Sequence, residues 1–226
     1  MEDGSLRALG DEVAAEIWAR LDALPPIAEA AELSNLGIAH GWAGLLYATL
    51  RWRRSSGGDL PDAIEERLAQ LGELAEPIGR GARWKWMLER PAPGSAYPYM
   101  PGWCNGSAGY VHLWTLAYRT FHDETYLRLA RWAAWNAWED PAAAGSLCCG
   151  LAGRAYALLN LFKQTGETAW LERARTLADR AAEVGPTPDL PAYSLYKGTL
   201  GMAVLAADLK HPSGAAMPFF EEEGWV

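Results

Sequence analysis

The amino-acid sequence predicts an all-α protein in which inner and outer helices alternate along the chain. Three observations support this fold class: a fourfold internal repeat, an apolar run after each repeat motif, and amphipathic segments between the runs. No strong strand pattern and no low-complexity linker interrupt the alternation. We therefore expect about eight helices, arranged as four inner and outer pairs, in a single domain that spans residues 1–226.

The outer helices are predicted by segments that carry charges on one face and leucine or alanine on the other. Four segments have this pattern: 12–24, 62–74, 124–138 and 168–184. The third segment is richer in tryptophan, a residue that buries a large area when it packs. Each outer helix is expected to lay its apolar face on an inner helix.

The inner helices are predicted by a Gly-x-x-Gly motif that leads into an apolar run. The motifs begin at Gly41, Gly106, Gly150 and Gly198, so their first glycines stand 65, 44 and 48 residues apart. Each following run is apolar around nearly the whole helix, which is typical of a buried helix. Because glycine in a helix interior costs up to ~1 kcal/mol relative to alanine, the paired glycines predict the close approach of a neighbouring helix or a ligand.

Composition and charge exclude several classes of function. The net charge of −8 and the pI of about 5.1 argue against a nucleic-acid partner, because phosphate binding requires clustered lysine and arginine. No stretch approaches the roughly 20 apolar residues of a membrane span, and residues 1–5 lack the features of a signal peptide. We therefore expect a cytoplasmic protein whose partner is neither nucleic acid nor a membrane.

Residues with polar, reactive or charged side chains stand one or two positions before the first glycine of each repeat. These residues are His40, Cys104, Asn105, Cys148, Cys149 and Lys197. If the inner helices run parallel to one another, their N-terminal ends meet at one rim, and all three cysteines of the chain gather there. Lys197 occupies the position equivalent to His40, so the sequence leaves open whether it packs or contacts a substrate.

The three cysteines predict a metal site rather than a disulfide framework. Their odd number disfavours disulfide pairing, and clustered thiols in a cytosolic chain more often bind metal or catalyse a reaction. Helix N-termini favour the thiolate form that a metal requires. Three thiolates with one open position suit a catalytic zinc ion. Copper(I) binding, or a redox function of the adjacent Cys148 and Cys149, is the alternative.

At the same positions the sequence resembles the signature motifs of the lanthionine synthetase C-like (LanC-like) cyclases. The matching segments, in the family's order, are Gly-Ile-Ala-His-Gly at 37–41, Gly-Trp-Cys-Asn-Gly at 102–106 and Ser-Leu-Cys-Cys-Gly at 146–150. Segment 194–201 resembles the last repeat of the family, and the similarity runs from about residue 36 to 209. The pair of cysteine motifs is far more specific than a lone Gly-x-x-Gly. The resemblance implies an α/α toroid of inner and outer helices.

The resemblance also implies a zinc-dependent cyclase. Zinc would be held by Cys104, Cys148 and Cys149, the last of which stands where most family members carry histidine. His40 matches the histidine to which the family assigns proton transfer. Family members add a zinc-bound peptide cysteine to dehydroalanine or dehydrobutyrine and so form a thioether. The implied partner is therefore a dehydrated, cysteine-containing precursor peptide of lanthipeptide biosynthesis.

The chain departs from the family pattern at several positions. No acidic residue in a Gly-x-x-Gly context precedes His40, Asn105 replaces the family's tyrosine, and Met100 replaces its arginine. Four helix pairs also fall short of the seven of a complete toroid. We therefore expect an incomplete ring that carries the zinc-binding half, with open edges covered by a second copy of the chain or by a partner protein. The alternative is a small closed ring with loop 80–101 in the gap.

The sequence leaves two functions of different classes open. The first is an active zinc-dependent cyclase. The second is a non-catalytic zinc-bound module that recognises a peptide or a partner protein, and the missing acidic repeat favours it. A glycosidase built on a helical toroid is the weakest alternative, because such enzymes use paired carboxylates and no acidic residue stands at the motif rim.

Several other residues receive a purely structural interpretation. His112 is expected to be a hydrogen-bonded core histidine, and His122 a capping residue at a helix junction. Trp42 and Trp103 flank the motifs and are expected to pack in the core. Segment 221–223 consists of three glutamates and is expected to be a solvated tail.

Overall fold

The computed structural model describes residues 4–88, 98–141, 144–186 and 190–221. Within these residues, the regular structure consists of eight α-helices and one antiparallel two-stranded sheet. The elements in chain order are α1 (Gly4–Asp22), α2 (Trp42–Ser56), α3 (Ile64–Glu73), β1 (Glu76–Ile78), β2 (Gly81–Arg83), α4 (Ser107–Phe121), α5 (Glu124–Glu139), α6 (Leu151–Thr165), α7 (Thr168–Val184) and α8 (Thr199–Asp208). Two 3₁₀ turns, Ile27–Glu29 and Ala31–Leu33, connect α1 to α2.

The even-numbered helices form an inner layer, and the odd-numbered helices cover it. Along this layer α2 packs against α4, α4 against α6 and α6 against α8. Helices α1 and α3 lie on α2, α5 lies on α4, and α7 lies on α6. Every residue of 107–117 in α4 and of 151–161 in α6 is buried. The structure therefore confirms the predicted all-α fold with alternating inner and outer helices of the toroid type.

Two elements differ from the prediction. Helix α1 begins at Gly4 rather than near residue 12, and its fully buried residues are confined to Trp18 and Leu21. Its first turns therefore lack the amphipathic contrast that predicts an outer helix. The hairpin β1–β2, with Gly79 in its turn at φ +54°, packs on α5. Strands of three residues are too short to show the alternation that predicts a strand.

The glycines of the four repeats make room for the loop that precedes each inner helix. A Cβ at the first glycine would lie 1.7–2.5 Å from the carbonyl oxygen of the residue six positions earlier. A Cβ at the second glycine would lie 1.9–2.3 Å from the corresponding oxygen. Side chains of the neighbouring repeat also approach, Ile38 at Gly109 and Leu147 at Gly201. The main partner of the close approach is thus the repeat's own loop, rather than the neighbouring helix or ligand that we predicted.

Two buried arginines donate hydrogen bonds to the C-terminal ends of outer helices. Arg67 on α3 donates hydrogen bonds to three carbonyl groups at the end of α1. Arg154 on α6 donates to three carbonyl groups at the end of α5. These side chains satisfy carbonyls that a helix end leaves without an intrahelical partner. The contact of Arg154 holds the first turns of α6 against α5, directly after the loop that carries Cys148 and Cys149.

The segment 211–221 returns across the inner layer after α8. Its Ala215 and Met217 are buried. The ring of Phe220 stacks on Tyr47 of α2 with centroids 4.5 Å apart, and the Tyr47 hydroxyl donates to the Phe220 carbonyl at 3.4 Å. The segment therefore packs against the inner helices instead of extending into solvent.

Glu221 lies at the end of this segment, and its burial corrects the prediction of a solvated tail. Its side chain is 1% exposed. One carboxylate oxygen accepts a hydrogen bond from Asn160 Nδ2 at 2.6 Å and lies 3.4 Å from Lys163 Nζ. The other oxygen accepts from the backbone N–H of Met217 at 2.8 Å. A buried carboxylate is tolerated here because α6 supplies an amide donor and a cation. The remaining glutamates of the predicted tail, 222 and 223, lie outside the described residues.

Among the described residues, none of the helices combines the length and the apolar character that crossing a lipid bilayer requires.

Candidate metal centre

Backbone hydrogen bonds join the four repeat loops side by side. Ala39 N–H donates to the Cys104 carbonyl at 2.9 Å, Cys104 N–H to the Cys148 carbonyl at 3.2 Å, and Cys148 N–H to the Tyr196 carbonyl at 2.9 Å. These four residues occupy the same position in their repeats, two before the first glycine. The N-terminal ends of the inner helices therefore meet at one rim, as predicted.

This rim brings the three cysteine sulfurs together. The Sγ atoms of Cys104, Cys148 and Cys149 all lie within 4.8 Å of one another. Cys149 Sγ is 3.5 Å from Cys104 Sγ and 3.5 Å from Cys148 Sγ. Cys104 is buried, Cys148 is half-buried and Cys149 is exposed. The cluster thus has one face against the core and one face open to solvent.

The spacing of the sulfurs fits one tetrahedral metal ion. Zinc–sulfur bonds of about 2.3 Å in a tetrahedral site place neighbouring sulfurs about 3.8 Å apart. Two of the observed sulfur–sulfur distances, 3.5 Å each, are slightly shorter than this value, and no sulfur–sulfur distance exceeds 4.8 Å. Within the part of the chain that the structure describes, no other group of three His, Cys, Asp or Glu side chains is close enough to hold an ion. Three protein sulfurs leave the fourth coordination position for an exchangeable ligand.

The three thiols share their protons unequally. Hydrogen bonds from Cys104 and Cys148, aided by Lys197, hold the pKa of Cys149 far below its ordinary value, although its sulfur is partly desolvated. The pKa of Cys104 is raised, because its hydrogen bonds to Cys148 and Cys149 and its burial all favour the neutral thiol. The hydrogen bonds and the lysine thus favour the thiolate form most at Cys149.

Lys197 lies directly against the cluster. Its Nζ atom is 3.1 Å from Cys149 Sγ, and the side chain is half-buried at the N-terminal end of α8. Burial alone would lower the pKa of Lys197, but hydrogen bonds to Cys149 and Cys148 and the charges of these thiols raise it overall. The sequence had left the role of Lys197 open, and the structure makes it a neighbour of the cysteines.

His40 lies on the loop adjacent to the cluster and is exposed to solvent. Its neighbour Ala39 is the residue that hydrogen-bonds to the Cys104 carbonyl. A Cβ on Gly37 would lie 2.6 Å from Cys104's neighbour Asn105, so the two loops touch along their length. The structure therefore places His40 at the same rim as the cysteines, one loop away from Cys104.

Aromatic side chains form the inner wall beside the cysteines. The Trp103 ring lies 5.2 Å from the ring of Tyr196 and 5.0 Å from that of Phe220. The Tyr196 hydroxyl donates to the Pro218 carbonyl at 2.7 Å, which ties the segment 211–221 to the rim. Trp42 is fully buried, as predicted, and its Nε1 donates to the Leu33 carbonyl at 3.0 Å. The sequence did not predict that Phe220 packs in this wall, since no local pattern marks it as an inner residue.

The two other histidines discussed above take structural positions. His112 is fully buried on α4, with Nδ1 3.7 Å from Glu221 Oε1. Neither ring nitrogen has a hydrogen-bond partner among the described residues, so the predicted core location is right and the predicted hydrogen bond is not formed. His122 ends α4 in the left-handed conformation at φ 57°, as the capping interpretation requires.

The sequence matches one protein-family model and is similar to curated proteins with related names. A protein-family model described as "Lanthionine synthetase C-like protein" matches residues 18–222. The chain is 31% identical over 193 residues to "Glutathione S-transferase LANCL1" of Danio rerio, covering 82% of this chain and 45% of the relative. It is 29% identical over 203 residues to "LanC-like protein GCL1" of Arabidopsis thaliana, covering 82% of this chain and 43% of the relative.

A solved structure has the same fold. Nisin cyclase aligns with a TM-score of 0.64 and 15% sequence identity over 79% of this chain and 47% of the cyclase chain. This likeness shows that the inner and outer helices of the chain have the helical toroid fold of nisin cyclase. The chain spans less than half the length of each of these three proteins.

Proposed function

The chain belongs to the lanthionine synthetase C-like family, and from that premise we propose that it is a zinc-dependent protein that forms thioethers. Its substrate would be a dehydrated peptide that contains cysteine, and the reaction would join the cysteine sulfur to dehydroalanine or dehydrobutyrine. The observation that carries this proposal is the cluster of three sulfurs within 4.8 Å of one another at the rim of the inner helices.

Zinc would be held by Cys104, Cys148 and Cys149, with the substrate thiol in the fourth position. When bound, zinc lowers the pKa of a coordinated thiol and so supplies a thiolate at neutral pH. The burial of Cys104 keeps water from one side of the cluster, and the exposure of Cys149 leaves the other side open to a peptide. Because three adjacent thiols must stay reduced, we propose that the protein works in the cytoplasm.

His40 would return a proton to the product. When the thiolate attacks Cβ of the dehydro residue, a carbon–sulfur bond forms and the electron pair of the double bond moves onto the carbonyl as an enolate. Protonation at Cα then completes the thioether, and an imidazole can donate that proton near neutral pH. The hydrogen bond between Ala39 and Cys104 supports this role, because it holds the His40 loop beside the loop of a zinc ligand.

Glutathione is a second candidate for the attacking thiol. The relative from Danio rerio is named a glutathione S-transferase, and the matched region includes most of this chain. Addition of glutathione to a dehydro residue uses the same atoms as cyclisation, with the thiol supplied by a separate molecule. The open side of the cluster at Cys149 would admit either thiol.

The test is an incubation of zinc-loaded protein with a dehydrated peptide, with and without a cysteine in the peptide. Cyclisation consumes the peptide thiol without changing the mass, so alkylation followed by mass spectrometry detects it. Glutathione addition appears instead as an adduct on the cysteine-free peptide. A Cys148→Ala variant controls for the spontaneous reaction. If zinc is bound but neither product exceeds that control, the thioether proposal is wrong and a non-catalytic zinc-bound module is the better description.

A further inference from the structure

A ligand set of three cysteines creates an electrostatic problem that two cysteines and a histidine do not. Three thiolates leave a zinc ion with one negative charge overall, and a bound substrate thiolate raises this to two. Replacing one cysteine with a neutral histidine removes one negative charge in each state. The third thiolate thus weakens the pull of the metal on an incoming thiolate, because like charges repel strongly at a partly buried site.

Lys197 is placed to offset this extra charge. Its Nζ atom lies 3.1 Å from Sγ of Cys149, the proposed ligand at the position where the resemblance to the family implies a histidine in most members. The backbone around the lysine is fixed, since Lys197 N–H donates to Ser194 Oγ at 3.2 Å and Gly198 N–H to the Ser194 carbonyl at 2.8 Å. The hydrogen bond from Cys148 to the Tyr196 carbonyl then ties this loop to the cysteine loop.

The location is unfavourable for a cation unless an anion accompanies it. Lys197 directly precedes Gly198, the N-cap of α8, and the N-terminal end of a helix repels positive charge. The residues equivalent to Lys197 before the other inner helices are His40, Asn105 and Cys149, none of which carries a permanent positive charge. Among the ion pairs of the described residues, none involves Lys197. The cysteine sulfurs, as thiolates, would supply the counter-charge that this position requires.

We infer that Lys197 is a positioning residue of the metal centre, whose ammonium group donates a hydrogen bond to the Cys149 thiolate and balances the charge of the third cysteine. The inference rests on the proposed function, because it assumes a metal bound by the three cysteines. Its consequence is that Lys197 and Cys149 act as a pair. The lysine strengthens the binding of a substrate thiol only while position 149 carries a thiolate.

The experiment uses the cobalt(II)-substituted protein, in which a thiol bound to the metal adds intensity to the sulfur-to-metal charge-transfer absorption. Titration with a small thiol such as 2-mercaptoethanol at fixed pH gives its dissociation constant. For Lys197→Met we expect a dissociation constant about 5-fold higher than in the unmodified protein, since a charged hydrogen bond is lost at a partly exposed site. The charge-transfer band should also move to longer wavelength, because the Cys149 thiolate loses its donor. Lys197→Arg should restore both properties in large part.

A double-mutant cycle separates charge balance from a direct contact with the thiol. In a Cys149→His background the ligand set has the lower negative charge, so Lys197→Met should change the dissociation constant less than 2-fold. Lys210→Met, at the other end of α8, is the matched control and should behave like the unmodified protein. An equal loss of thiol affinity with cysteine or histidine at position 149 would overturn the inference.

The outcome also distinguishes this inference from the proposed function. If the unmodified protein gives no cobalt charge-transfer band, the metal centre itself is absent and the proposed function fails. If the band and thiol binding are normal and Lys197→Met leaves both unchanged, only the role of Lys197 is refuted. Circular dichroism of each variant checks that the helices are intact.

Discussion

At the residue scale, the sulfur separations at the rim lead to a prediction about metal content. Protein purified under reducing conditions should hold close to one zinc per chain, with X-ray absorption showing a shell of three sulfurs. Cys148→Ala or Cys149→Ala should strip the metal, because two remaining thiolates bind zinc far more weakly. His211→Ala, at an exposed residue after α8, is a control that should keep it. A metal-free protein, or a zinc spectrum without sulfur, would contradict the site.

The role proposed for His40 gives a second prediction at this scale. His40→Asn should slow thioether formation by roughly 10²- to 10⁴-fold, which is the usual contribution of general acid catalysis. Zinc content should stay unchanged, since in this proposal the three cysteines supply all of the protein ligands. If zinc disappears together with activity, His40 is a metal ligand instead. If activity is unaffected, His40 has no part in proton transfer.

His112 leads to a prediction about stability against pH. Burial lowers the pKa of His112 to about 4 from its ordinary 6.5. Between these values the unfolded chain binds more protons than the folded protein, so the free energy of unfolding falls as the pH drops below about 6.5. His112→Phe removes this titration and keeps a ring against Phe220.

Urea denaturation at pH 7 and pH 5 measures the difference. From pH 7 to pH 5 the unmodified protein should lose about 2 kcal/mol more stability than His112→Phe. The measurement stops at pH 5, above the ordinary glutamate pKa of 4.5; in the folded protein burial raises the pKa of the neighbouring Glu221, but nearby charges and its hydrogen bonds lower it overall. An equal loss in both proteins would show that the pKa of His112 is not lowered in the folded protein.

The sequence could predict that the cysteines and His40 lie at one site, because the repeat places them at equivalent positions. Each stands one or two residues before the first glycine of a motif, and equivalent positions in a repeat occupy equivalent places in the fold. The ion pair of Lys163 with Glu221 could not be predicted from the sequence, because it joins residues of unrelated segments. A run of glutamates near the end of the sequence looks the same whether it is solvated or buried.

At the element scale, the glycines that begin each inner helix give a prediction about folding of the site. A Cβ on Gly153 would lie 1.9 Å from the Leu147 carbonyl oxygen, in the loop that carries Cys148 and Cys149. Gly153→Ala should therefore displace this loop, cost about 2 to 3 kcal/mol as an overpacked core substitution does, and weaken zinc binding. Gly214→Ala is the control, since its Cβ would meet nothing closer than 3.8 Å. Denaturation and zinc titration of both variants check the expectation, and an unchanged Gly153→Ala would refute it.

The helices themselves were largely predictable, and their boundaries less so. Helices α4 and α6 follow the apolar runs after their motifs, and α7 spans the same residues as the predicted outer segment, 168–184. The loop contacts of the glycines were missed, because a residue six positions earlier in an irregular loop leaves no periodic signal. The hairpin β1–β2 was missed for the related reason that its strands are too short to alternate.

At the scale of the whole molecule, several exposed apolar side chains lie on α1 and α8, the helices at the two edges of the layers. On α1, Leu6, Leu9 and Val13 are 65%, 56% and 48% exposed, and their spacing places them on one face. On α8, Leu200 is 48% exposed. Large apolar patches are unfavourable in water, so we propose that a second copy of the chain, or a partner protein, covers these edges.

Light scattering over a range of protein concentrations tests this proposal. A dimer should bury on the order of 2,000 Å² of mostly apolar surface, as obligate interfaces do, and Leu9→Glu should dissociate it. Glu16→Gln, a neighbouring exposed position on α1, should not. A monomer at all concentrations that exposes no dye-binding surface would favour a small closed unit. In that case the segment 211–221, rather than a second chain, would be what covers the inner layer.

The sequence by itself determined the order of the helices, their division into two layers and the three cysteines that would hold a metal. These properties depend on local periodicity and on the spacing of a repeat, both of which are written along the chain. Only the tertiary structure decided that Lys197 contacts Cys149 across 48 residues and that Asn160 holds Glu221 across 61. Such contacts arise where distant loops and segments are brought together by packing, and the cost of burying a charge is met by partners that no local pattern identifies.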